Sequence, residues 1–110
     1  MFPYRLRVPD RLVAFIRGLH PDIKRKIKGS LGIIAADPNS GKPLKDELEG
    51  LRSFRVGRFR IVYRMAETRE IQIVAIGPRD RIYEETYRII RRKRKGLKDK
   101  PRAENKGQRK

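Results

Sequence analysis

A chain of 110 residues with 30 Lys+Arg against 13 Asp+Glu, a net charge of +17 and only 37% apolar residues is one small, very basic domain. Zero cysteines exclude disulfides, thiolate zinc sites and a cysteine nucleophile, and a single histidine, His20, excludes a histidine-built metal cage and disfavours a Ser/His/Asp triad. Met1 to Arg7 contains no apolar leader core, and no apolar stretch approaches the ~18 residues of a membrane span, so a soluble, cytoplasmic protein without a membrane partner is expected.

Tyr4, Leu6 and Val8 alternate with Arg5 and Arg7 at the period of a half-buried strand, and Pro9-Asp10 breaks it and offers a helix cap. Leu12, Phe15, Ile16 and Leu19 then fall at helical spacing. Gly18-Leu19-His20-Pro21 closes this helix and opens another with Pro at its first position, leaving His20 as a cap or a surface residue. The second helix is expected from about Pro21 to Ala36, apolar on Ile23, Ile27, Leu31 and Ile34 and terminated by Asp37-Pro38. Two short helices so closely linked predict an antiparallel hairpin covering a sheet. Asn39 to Gly50 is polar and turn-rich, a loop or at most one irregular strand.

Leu51 to Met65 carries the most information. Gly57 stands at the first central position of a two-residue hairpin turn in Val56-Gly57-Arg58-Phe59, and that turn sets the register. Val56 then faces Phe59, Arg55 faces Arg60, Phe54 faces Ile61 and Ser53 faces Val62. One face collects Phe54, Val56, Phe59, Ile61 and Tyr63, the expected core side, and the other collects Arg55, Arg60 and Arg64. A slip of one residue would bury the arginines. Ile71 to Gly77 reads as a further strand, followed by the turn Gly77-Pro78-Arg79-Asp80-Arg81. Ile82, Tyr83, Thr86, Tyr87, Ile89 and Ile90 recur at helical intervals and predict a final short helix. The expected fold class is α+β: a twisted antiparallel sheet, mixed at one strand, with the helical hairpin on one face and the other face partly open.

Residues 91–110 hold 11 Lys+Arg and 2 Asp+Glu, about half of the net charge, and no aromatic residue. The domain is therefore placed at 1–90 and followed by a basic extension expected to be disordered beyond about Gly96. It is either a solubilising tail or a sequence-blind arm for phosphates, and eleven cations in twenty residues favour the arm.

Arginines directly opposite on paired strands repel by an amount comparable to the ~0.2–1 kcal/mol of a favourable cross-strand pair, so Arg55 against Arg60 suits a bound anion better than stability. Arg79, just beyond the next strand, is placed to converge on the same hollow. Guanidinium groups match phosphate with paired hydrogen bonds, which points to nucleic acid. Lys42, Lys45, Arg52, Arg58 and Arg81 read as contacts to an RNA backbone. Gly77-Pro78 lacks the glycine spacing of a nucleotide loop.

Leu44-Lys45, Leu48 and Gly50-Leu51, then Phe54-Arg55-Val56-Gly57-Arg58-Phe59-Arg60-Ile61-Val62-Tyr63, then Ile73-Val74-Ala75-Ile76-Gly77-Pro78-Arg79 with Ile82-Tyr83, resemble the RelE/ParE toxin superfamily of bacterial and archaeal toxin–antitoxin systems. The resemblance covers residues 1 to about 90. It implies a RelE-like, microbial-RNase-type fold and an mRNA interferase that enters the ribosomal A site, between messenger and rRNA. There it cuts the messenger without a metal or cofactor, by attack of a ribose 2′-hydroxyl on the adjacent phosphate. By position, Arg60 matches the arginine that holds the scissile phosphate, Arg79 the one that stabilises the transition state, and Arg55 the basic residue of the preceding strand. Tyr83 matches a tyrosine implicated in proton transfer and base stacking, although Tyr83, Tyr87 and Ile90 also form one helical stripe suited to packing.

The chain departs from the pattern at Ser53, where some members carry a lysine, and it lacks the His/Glu pair of others. The resemblance further implies a cognate antitoxin partner. It leaves open a ParE-like poison of DNA gyrase without nuclease activity, and the composition alone leaves open a generic basic RNA-binding module.

Overall fold

The computed structural model describes residues 4–66 and 69–99. Strand β1 (Arg5–Arg7) leads into helices α1 (Asp10–Arg17) and α2 (Pro21–Ala36), followed by the two-residue strand β2 (Lys42–Pro43) between single 3₁₀ turns at Pro38–Ser40 and Asp46–Leu48. Then come β3 (Leu51–Val56), β4 (Phe59–Met65), β5 (Glu70–Pro78) and α3 (Ile82–Asp99). The sheet order is β1-β5-β4-β3-β2. β1 lies parallel to β5 and every other pair is antiparallel, which is the expected mixed sheet.

The helical hairpin forms where the patterning places it, with one change at its entry. Pro9, not Asp10, is the N-cap of α1; its side chain has no polar atom and gives no cap, while its backbone carbonyl accepts from the amides of Leu12 and Val13. Asp10 is instead the first helical residue, where the positive end of the helix dipole favours a carboxylate. His20 caps α2, its Nδ1 accepting the Asp22 N–H at 3.1 Å. Leu12, Ile16, Ile27, Leu31 and Ile34 bury their side chains against Val56, Ile61, Tyr63, Ile71 and Ile73 to make the main core.

The opposite face differs from the expectation of a partly open sheet below a helix-covered one. Leu51, Val62, Val74 and Ala75 form a second buried cluster there, covered by Ile82 of α3 with Ile89 and Ile90 beside it. The sheet thus has helices on both faces, and the arginine row of β3 and β4 lies next to this second core. A β-bulge shifts the alternation along β5: Val62 pairs with Ala75 but Tyr63 pairs with Ile73, so Val74 has no partner on β4 and the consecutive residues Val74 and Ala75 both join this second cluster. The Val74 carbonyl accepts from the Arg11 guanidinium at 2.8 Å.

Helix α3 reaches Asp99, longer than the short helix expected from periodicity. Residues 100–110, the end of the basic extension, lie outside the described residues. Among the described residues no helix is long and apolar enough to cross a membrane.

Candidate active site

The β3–β4 turn has Gly57 at φ +59° while Arg58 stays out of the left-handed region, the backbone pattern that places glycine first in a two-residue turn. The resulting register pairs Arg55 with Arg60 and Ser53 with Val62. Because side chains alternate, Ser53, Arg55, Arg60 and Val62 share the face that α3 partly covers. Arg60 also pairs with Gly77 on β5, and Arg79, two residues farther on, is held beside the hairpin by its N–H bond to the Arg58 carbonyl at 2.9 Å.

At the centre is Ser53, 2% exposed. Its Oγ accepts a hydrogen bond from Arg60 Nη1 at 3.1 Å and one from the Tyr83 hydroxyl at 3.4 Å. Tyr83 comes from the first turn of α3, so the helix that closes the second core also delivers the phenol to the arginine row. The packing role open to Tyr83 is taken by other residues: Ile82 and Thr86 are fully buried, whereas Tyr83 and Tyr87 are each 38% exposed. The Tyr87 ring instead lies under the Arg91 guanidinium, 5.4 Å from its centroid.

Lys42 acquires a place that its sequence context does not reveal. It pairs with Ser53 across β2 and β3, which puts it on the same face and one strand out from the serine. Among the described residues the side chains of Lys42, Arg55 and Arg79 take part in no hydrogen bond or ion pair. Three unpaired cations therefore stand on or at the edge of the face on which Arg60 is half-buried and oriented. Cations that spend their hydrogen-bonding capacity on no internal partner are available to an anion.

The remaining cations divide into two groups. Lys45, Arg58 and Arg81 are exposed at turns flanking the row. Arg52 points away from it: its Nη1 donates to the carbonyls of Gly41 at 2.6 Å and Asn39 at 3.5 Å, tying down the loop before β2. Glu85 is the acid that approaches the row, its Oε1 lying 3.5 Å from where a Cβ on Gly77 would stand. Among the described residues no group of three His, Cys, Asp or Glu could hold a metal ion.

A family model for the ParE toxin of the type II toxin–antitoxin system parDE matches residues 5–83, a span that runs from β1 to Tyr83. The chain belongs to this toxin family. No curated protein matches it. Among solved structures the toxin is similar to the RelBE2 toxin–antitoxin complex of Mycobacterium tuberculosis, with 28% identity over 69% of this chain and 98% of that one and a TM-score of 0.61. The archaeal RelE–RelB complex of Pyrococcus horikoshii (21% identity, 72% and 98% covered, TM-score 0.59) shares the fold. So does a mutant of Escherichia coli toxin RelE in the free state (18% identity, 84% and 98% covered, TM-score 0.65). The RelE/ParE resemblance and the α+β fold expected from the sequence are thereby established.

Proposed function

We propose that the toxin is a ribosome-dependent mRNA endonuclease that arrests translation in the cytoplasm. The observation that supports this reading is the cluster on one sheet face: Arg60 held by Ser53, Tyr83 on the same serine, and unpaired Arg55, Arg79 and Lys42 around them. In the reaction a ribose 2′-oxygen bonds to the adjacent phosphorus and the bond from phosphorus to the 5′-oxygen breaks. One proton leaves the attacking hydroxyl and another reaches the leaving oxygen. Arg60 grips the scissile phosphate, Arg79 and Arg55 offset the charge that builds on its oxygens, and Tyr83 serves one of the proton transfers or stacks on the base. Lys42, Lys45, Arg58 and Arg81 extend the cationic surface along the messenger backbone and rRNA.

The test is induction of wild type and of Arg60→Ala/Arg79→Ala, with messenger ends mapped on translating ribosomes. Cleavage and growth arrest by the wild type alone support the reading, and equal cleavage by both sinks the residue assignment.

A second reading follows from the matched family, which includes gyrase poisons: the toxin would bind DNA gyrase and cut no RNA. Gyrase-dependent DNA breaks with intact messenger would favour it. Under either reading the complexes with RelB among its structural neighbours support a cognate antitoxin, one whose acidic segment complements the cationic face. The basic extension acts as a phosphate arm. Deleting residues 100–110, which hold five Lys+Arg and one Glu, lowers RNA association while cleavage persists.

A further inference from the structure

We infer that Ser53 is the positioning residue of this site, holding Arg60 and Tyr83 on one oxygen so that both address the same phosphate; the inference rests on the nuclease reading above. No motif assigns Ser53 a role, and in sequence it is only the position at which an expected cation is missing.

The geometry gives it one. A serine hydroxyl can accept two hydrogen bonds, and at Ser53 the two donors are the guanidinium of β4 and the phenol of α3. With the residue 2% exposed, water does not compete for the oxygen. The serine sits inside a strand, paired with Lys42 on one side and Val62 on the other, so its position is set by ladders on both flanks. Arg60 Nη1 and Tyr83 Oη can be no farther apart than the sum of their distances to Ser53 Oγ, a span that one phosphodiester bridges.

The consequence is preorganisation. Arginine and tyrosine are otherwise free to rotate on an exposed face, and each lost rotamer would have to be ordered by the substrate. The 3.4 Å contact to Tyr83 is longer than the usual O–H···O bond of about 2.5–3.0 Å and is the one expected to tighten when substrate fills the site. A lysine at this position could add a charge but could accept no bond, and would repel the arginine that Ser53 orients.

The experiment uses S53A and S53T in the full chain, read in two ways. In ¹⁵N NMR of the guanidinium groups, wild type and S53T should show hindered rotation at Arg60, and S53A should lose it. On programmed ribosomes at saturation, S53A should lower kcat by about tenfold to a hundredfold, with KM within about twofold. S53T, which keeps the hydroxyl, should recover most of the rate, and adding S53A to R60A/Y83F, which lacks both of its partners, should cost nothing more. Unchanged Arg60 resonances in S53A overturn the inference, as does the same loss of rate in the R60A/Y83F background. If the wild type cleaves no messenger the nuclease reading fails, and the NMR result alone still decides whether Ser53 fixes Arg60.

Discussion

The Tyr63 hydroxyl accepts the Gly41 N–H at 2.8 Å and donates to the Pro38 carbonyl at 2.7 Å, so a fully buried side chain of β4 anchors the loop that leads into β2. A Cβ added to Gly41 would stand 2.5 Å from that hydroxyl. The loop ends at Lys42, beside Ser53, so this bond sets where the outermost cation of the site lies.

Gly41→Ala therefore destabilises the fold by about 1–3 kcal/mol, the usual cost of overpacking a filled site. Tyr63→Phe removes the hydroxyl, leaves an amide and a carbonyl without their partner, and costs about 1–3 kcal/mol. Urea denaturation of the two variants and of wild type measures both, and a midpoint unchanged in either contradicts the anchoring role.

The same tyrosine predicts a pH dependence. Burial pushes its pKa above the ordinary value of 10.0, outweighing the bond from Gly41 that pulls it down. A group whose pKa is higher folded than unfolded keeps its proton longer in the folded state. Its contribution to stability is complete below about pH 10 and lost as pH rises beyond it. Lysines titrate in the same range, so the comparison is with Tyr63→Phe, whose stability should fall less steeply between about pH 9.5 and 11. Parallel slopes would refute the assignment.

Arg52 and Arg58 should respond oppositely. Arg52 donates to loop carbonyls, so Arg52→Ala lowers stability by about 1 kcal/mol and leaves the salt dependence of RNA binding nearly unchanged. Arg58 is exposed at the hairpin tip, so Arg58→Ala leaves stability alone and reduces the slope of log affinity against log salt by about one. Binding to a short RNA across a salt series, with melting curves alongside, separates the two.

Gly57 supplies the left-handed backbone that sets the Arg55–Arg60 register. Gly57→Val should cost about 1–2 kcal/mol or more, since a β-branched residue tolerates φ +59° poorly. Gly57→Asn should cost less, and equal melting temperatures for the two variants would argue against a strained turn.

Much of the fold was legible because its signals are local. The turn at Gly57 and the two-residue alternation around it specify which residues oppose each other, and every predicted pair from Ser53–Val62 to Val56–Phe59 is present. The bounds of α2 follow from Pro21 and Asp37-Pro38 for the same reason. The face covered by α3 was not legible, because the bulge at Val74 puts the neighbours Val74 and Ala75 of β5 in the same core and erases the simple alternation. Arg52 reads like its neighbours in sequence, and only the fold of the preceding loop brings carbonyls to its guanidinium.

The sequence by itself determined the family, the sheet-and-hairpin architecture and the facing arginines, since motif, period and turn chemistry act over a few residues. Tertiary structure alone decided that Tyr83 reaches Ser53 and that Lys42 pairs beside it. The three lie on α3, β3 and β2, and only the sheet register and the packing of Ile82 into the second core bring them together.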